Sequence, residues 1–98
     1  MSPTLGVLAL LEAKPGKGED LGQFLRGGRD LAAAEPGTVT WYAFKISDTQ
    51  YGIFDTFDDD GGRQAHLGGQ IPAALSQVAD ALLAASPDIR TVDVLAVK

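Results

Sequence analysis

One histidine, one tryptophan, two tyrosines and no cysteine make up the supply of reactive side chains in this 98-residue chain. His66, in Gln64-Ala65-His66-Leu67, is the side chain that titrates near neutral pH without a large perturbation, which makes it the natural base or proton shuttle. A plainer duty is open to it as well: bonding backbone where a helix closes before Gly68-Gly69. Tyr42 and Tyr51 carry hydroxyls able to donate to a phenolate or peroxide oxygen, and Trp41 adds an indole N–H and a flat face for an aromatic substrate. Trp41 and Tyr42 are consecutive in an extended segment, so they point to opposite faces and cannot line one pocket together; core or interface packing accounts for the pair. Asp55 stands between Phe54 and Phe57, where a carboxylate is costly unless it is paired or working. Asp93, between Val92 and Val94, is a similar case, and for both the structural alternative is an ion pair with a base such as Arg63 or Arg90. Arg63 itself can clamp an anionic group or simply be solvated.

Several chemistries are excluded or left without support. The absence of cysteine removes disulfides, thiolate metal sites, iron–sulfur clusters and thiol nucleophiles. Gly16-Lys17-Gly18 has neither the spacing nor the Lys-Ser/Thr ending of a phosphate loop. Asp58-Asp59-Asp60 lacks the glutamate of a calcium loop and is explained by a helix start. One histidine among scattered acids leads us to expect no metal and no organic cofactor. With a net charge of −5 and no basic patch, the chain is expected to bind no nucleic acid. The longest charge-free window, Gln64 to Ala79, is interrupted by glutamines, His66 and Pro72, so no membrane span is expected. No Lys or Arg precedes the apolar run Val7 to Leu11, as a secretion signal would require, and a cytoplasmic location is the expectation.

The elements that must position these residues follow from periodicity. Thr4 to Ala13 predicts a strand with Leu5, Val7, Ala9 and Leu11 on one face and Leu8 and Leu10 on the other. After Pro15-Gly16-Lys17-Gly18, Glu19 and Asp20 mark a helix start, and Leu21, Phe24, Leu25, Gly28, Leu31 and Ala32 form its apolar stripe. Gly28 lies on that stripe and allows close approach to a sheet. Glu35-Pro36-Gly37 ends the helix, and Thr38 to Ile46 and Tyr51 to Phe57 predict two strands joined by Ser47-Asp48-Thr49 as a hairpin. A short helix from Gly61 to Leu67 follows the three aspartates, and a last helix opens at Pro72 with Ile71, Leu75, Val78, Ala79, Leu82 and Leu83 as its stripe. Asp88 to Lys98 predicts the final strand.

The order βαββαβ over a single domain, residues 1–98, is an α+β class. It folds most simply into a ferredoxin-like four-stranded antiparallel sheet, spatial order 4-1-3-2, with the helices on one face. In so short a chain 45% of residues are apolar, and the first strand and the hairpin are apolar on both faces. The uncovered face therefore calls for a partner, and a second copy, giving a homodimer packed sheet against sheet, is the simplest one.

Four segments in order, Ala13-Lys14-Pro15-Gly16-Lys17, Ala34-Glu35-Pro36-Gly37-Thr38, Tyr51-Gly52-Ile53-Phe54-Asp55 and Gln64-Ala65-His66-Leu67, resemble the antibiotic biosynthesis monooxygenase family. The resemblance spans nearly the whole chain and implies a dimeric α+β barrel of ferredoxin-like subunits. The family's haem-degrading branch expects an asparagine on the first strand and a histidine on the later helix. This chain has no asparagine, and its one histidine lies in the earlier helix. The cofactor-independent branch is the better match, in which an electron-rich phenol is deprotonated in a dry pocket and its anion reacts with dioxygen. On that reading His66, Tyr51 and Asp55 are the candidate catalytic residues, and Trp41, Tyr42, Phe54 and Arg63 line the site of a small aromatic or quinol-like substrate. The reading from another class is a dimeric ligand-binding or stress-related barrel without catalysis, favoured by the shortage of convergent polar residues.

Overall fold

A computed structural model describes residues 3–98. Strands β1 (Leu5–Glu12), β2 (Thr38–Lys45), β3 (Gln50–Phe57) and β4 (Asp88–Asp93) form one antiparallel sheet in the order β2-β3-β1-β4. Helices α1 (Gly18–Ala33), α2 (Asp60–Leu67) and α3 (Gln70–Leu82) pack on one of its faces. This is the ferredoxin-like arrangement, in the strand order read from the sequence.

The alternation of side chains decides what each face holds. Ala9, Leu11, Tyr51 and Ile53 from the sheet meet Leu21 and Leu25 of α1, Leu75 of α3 and Leu83 just beyond it in the buried core. Between β1 and α1, Lys17 N–H bonds Lys14 C=O at 2.9 Å, closing a turn in which Gly16 takes φ +78°, a conformation that costs glycine nothing. Gly28 sits under the indole of Trp41, where a Cβ would lie 3.3 Å from the ring, so this position of the α1 stripe is the point of close approach to the sheet.

The last strand is shorter than its composition predicts. β4 ends at Asp93 opposite Leu5, and Val94 N–H adds one bond to Thr4 C=O at 2.8 Å. An edge strand has one neighbour, and its pairing ends where β1 ends. Leu95 beyond it is 96% exposed. No helix among the described residues is long and apolar enough to cross a membrane.

Candidate active site

Asp55 is the most buried charged residue of the described chain, at 1% exposure. Its β3 position puts it on the helix-facing side, with Val7 of β1 and Trp41 of β2 as its cross-strand neighbours. A carboxylate there needs a partner, and the partner comes from α2. Asp59 caps that helix by accepting from Gly62 N–H at 2.8 Å, and His66 follows two turns later, over the sheet.

His66 lies between two carboxylates. Its Nε2 is 2.9 Å from Asp55 Oδ2 and its Nδ1 is 2.7 Å from Glu35 Oε1, while Phe57 flanks the ring at a centroid distance of 5.4 Å. Burial alone lowers the imidazole pKa, but hydrogen bonds to Asp55 and Glu35, and the charges of both, outweigh it and raise the value from 6.5 to about 9. At neutral pH the ring is an imidazolium that donates from both nitrogens. It has no free lone pair with which to accept a further proton.

Glu35 reaches His66 through two local devices. Gly37 and Gly62 lie so close that a Cβ on Gly37 would come within 2.8 Å of Gly62 Cα, so the loop after α1 and the start of α2 dock backbone to backbone. The β2–β3 register also slips between Thr38 and Thr40, a bulge at Val39. Without it Thr38 would share the outer face with Thr40. With it, Thr38 stands opposite Phe57 and donates from Oγ1 to Glu35 Oε1 at 2.7 Å.

The two carboxylates grip opposite edges of one ring, so the three groups form a line and do not converge on a point where a metal would sit. At one end of the line Asp55 Oδ1 is buried with no partner among the described residues, and the indole Nε1 of Trp41, across one rung of the ladder, is likewise unpartnered. At the other end Glu35 and His66 open into a groove of about 270 Å³ whose other walls include Leu31, Pro36 and Thr38. Thr38 is shared with a neighbouring groove of about 290 Å³ that Trp41 lines.

The structure thus brings His66, Asp55 and Trp41 together and separates the other sequence candidates from them. Tyr42 and Phe54 pair with each other on the opposite face of the sheet, and Tyr42 is 60% exposed. Tyr51 faces the helices but lies four residues from Asp55, roughly 13 Å along the strand. Arg63 pairs with Asp60 of its own helix at 3.1 Å, leaving Nε buried and unpartnered. Asp55 is paired with His66, whereas Arg90 goes to Asp88 at 3.0 Å. Asp93 is exposed at the end of β4. Glu35 escaped the sequence reading, in which it merely ended a helix. Its signal was an acid beside the negative end of a helix dipole, a position that favours bases.

The same chain trace recurs among solved structures. A protein of unknown function from Nitrosomonas europaea superposes with a TM-score of 0.96 at 47% identity, over 98% of this chain and 93% of its own. This chain belongs to one family with it. Candidate antibiotic biosynthesis monooxygenases from Caulobacter crescentus (TM-score 0.80, 18% identity, 96% and 92% of the two chains) and Nitrosomonas europaea (0.83, 13%, 94% and 99%) share the architecture. The chain has the antibiotic biosynthesis monooxygenase fold. At these identities the likeness to the candidate monooxygenases is one of fold. No family model matches the sequence, nor does any curated protein. Within the monooxygenase fold, the line Asp55–His66–Glu35 occupies the layer between sheet and helices.

Proposed function

We propose that the chain is a small oxygenase that oxidises a hydroxylated aromatic or quinol-like molecule with dioxygen, using neither a metal nor an organic cofactor. The observation that carries this reading is the open oxygen of Asp55: a buried carboxylate whose Oδ2 is held by an imidazolium and whose Oδ1 has no partner among the described residues. Among the candidates His66 has both nitrogens engaged, so the base is Asp55 and His66 is the cation that holds it. The Asp55 carboxylate takes the phenol proton on Oδ1, and the Trp41 N–H steadies the phenolate oxygen. Dioxygen then adds to a ring carbon ortho or para to that oxygen, and the peroxide takes the proton back from Asp55. Loss of the C–H proton to Asp55 with cleavage of the O–O bond releases hydroxide, which is protonated to water. One phenol and one dioxygen thereby give one quinone and one water, with the ring oxidised and dioxygen reduced. Water must be excluded while the anion reacts, and Asp55 sits among Val7 and Trp41 across the ladder and Phe57 two residues on.

The open sheet face supports a homodimer. Leu8, Leu10, Phe44 and Phe54 are only half-covered there and Tyr42 is exposed, so a second copy would give Tyr42 and Phe54 their role at the interface. The cysteine-free composition suits the cytoplasm. A second reading, a ligand-binding barrel without catalysis, draws on the doubly engaged His66, because such a clamp also serves stability alone.

Dioxygen uptake with anthrones, naphthols and quinols, in chelator-treated buffer, separates the two. The oxygenase reading expects uptake that Asp55→Asn lowers by roughly 100-fold, within the range of one general base. Binding of these compounds without uptake selects the second reading.

A further inference from the structure

We infer that the cleft between α1 and the β2–β3 hairpin is a second small-molecule site, built for a carboxylate carried on an apolar body. The cleft measures about 200 Å³ and lies at the end of the helix–sheet layer remote from Asp55. Tyr51 forms part of its floor. The residue is 5% exposed, and its hydroxyl, which makes no hydrogen bond among the described residues, is not one of the sealed polar atoms and stays open to the cleft. Arg26 stands at the mouth and makes no ion pair among the described residues, although the chain carries 13 acids.

The geometry at Gly22 brings these two groups to one place. A Cβ on Gly22 would lie 3.8 Å from Arg26 Nη1, 4.0 Å from the Tyr51 hydroxyl and 3.5 Å from Tyr51 Cε2. Guanidinium and hydroxyl therefore both border the methyl-sized space that the missing side chain leaves open. Lys45, opposite Tyr51 in the ladder, adds a second cation, tethered to Asp48 at 3.4 Å, and Glu19 is the acid in the lining. A carboxylate accepts from a guanidinium and a hydroxyl together, and an unpaired cation on an acidic protein is a local attractor for anions. Leu25 and Ala43 give the ligand's body an apolar wall. The site stands independently of the oxygenase reading and gives Tyr51 a binding role of its own.

The test is a titration of the ¹⁵N-labelled full chain with benzoate, followed by NMR. Saturable shifts at Gly22 and Tyr51 are expected, with a Kd of about 1 mM or tighter. Arg26→Ala is expected to weaken binding by at least about tenfold, as loss of a charge-assisted bond does. Gly22→Ala places a methyl in ordinary contact distance and raises helix propensity, so the variant stays folded with binding lost. Asp55→Asn leaves the affinity unchanged, because its carboxylate belongs to the other end of the layer. No saturable shift up to about 10 mM benzoate, or full affinity in folded Arg26→Ala or Gly22→Ala protein, overturns the proposal. Inorganic phosphate competing as well as benzoate overturns the apolar-body part, since the cleft would then read charge alone.

Discussion

At the two ends of β3 the same face of the sheet meets the helices in opposite ways. Around Asp55 the charged groups are buried and drawn into a line that crosses from β3 through α2 to the loop after α1, with Asp55 Oδ1 and Trp41 Nε1 left over at one end. Around Tyr51, among the described residues, a hydroxyl is left without a partner and an arginine without an acid, and a glycine leaves a gap beside both. The first end spends its charges on one another, one oxygen of Asp55 excepted, and so ties three elements together. The second keeps them for something outside the chain. Charge buried with its partners governs stability, and charge left at a cleft governs binding, so substitutions at the two ends are expected to have very different consequences.

The largest effect is expected from His66→Ala. It leaves the Asp55 carboxylate buried without its cation and costs about 3–5 kcal/mol, a large part of the stability of a domain this small. Chemical denaturation followed by circular dichroism measures it; a loss below about 1 kcal/mol means that the clamp carries no weight.

Next in size is the dependence on pH. The folded pKa of His66, about 9, lies above its ordinary 6.5, so the stabilisation is complete below pH 6.5 and is lost as pH rises through 9. The shift corresponds to about 3 kcal/mol in total. Midpoints of urea unfolding should fall across that window in the parent protein and stay flat in a His66→Gln variant.

Glu35→Gln removes one of the two charges but keeps a hydrogen-bonding group against Nδ1. A cost of about 1–2 kcal/mol is expected, together with a His66 pKa lower than in the parent, which a proton NMR titration reads directly. Tyr51→Phe is the smallest case. Its hydroxyl makes no hydrogen bond among the described residues, so stability should change by less than about 0.5 kcal/mol, and thermal unfolding of the two proteins should coincide. A marked loss at Tyr51 would erase the contrast between the ends.

The strand order and the helix positions were legible in the sequence because each element announces itself locally, through alternation, three-and-four spacing or a Pro-Gly break. Asp55 was legible as an anomaly, a carboxylate among aromatic residues in a strand. Its partner was not, since eleven residues and a change of element separate it from His66, and helical phase alone does not say which way α2 presents its histidine. Glu35 was hidden for a different reason: it reaches His66 only because two glycines let the backbones touch and a bulge turns Thr38 inward. Neither device leaves a periodic trace. Phe54, by contrast, could have been assigned to the outer face from parity, being adjacent to Asp55. The excess length read into β4 came from composition, which cannot tell where the neighbouring strand stops.

An imidazolium held between Asp55 and Glu35 is what leaves Asp55 as the basic group and makes the clamp stabilising. The most direct measurement is a ¹⁵N NMR titration of the His66 ring nitrogens. Both should carry protons throughout the neutral range and titrate near pH 9. A ring that loses a proton near the ordinary 6.5, with one nitrogen free at neutral pH, would contradict the clamp and return the role of base to His66.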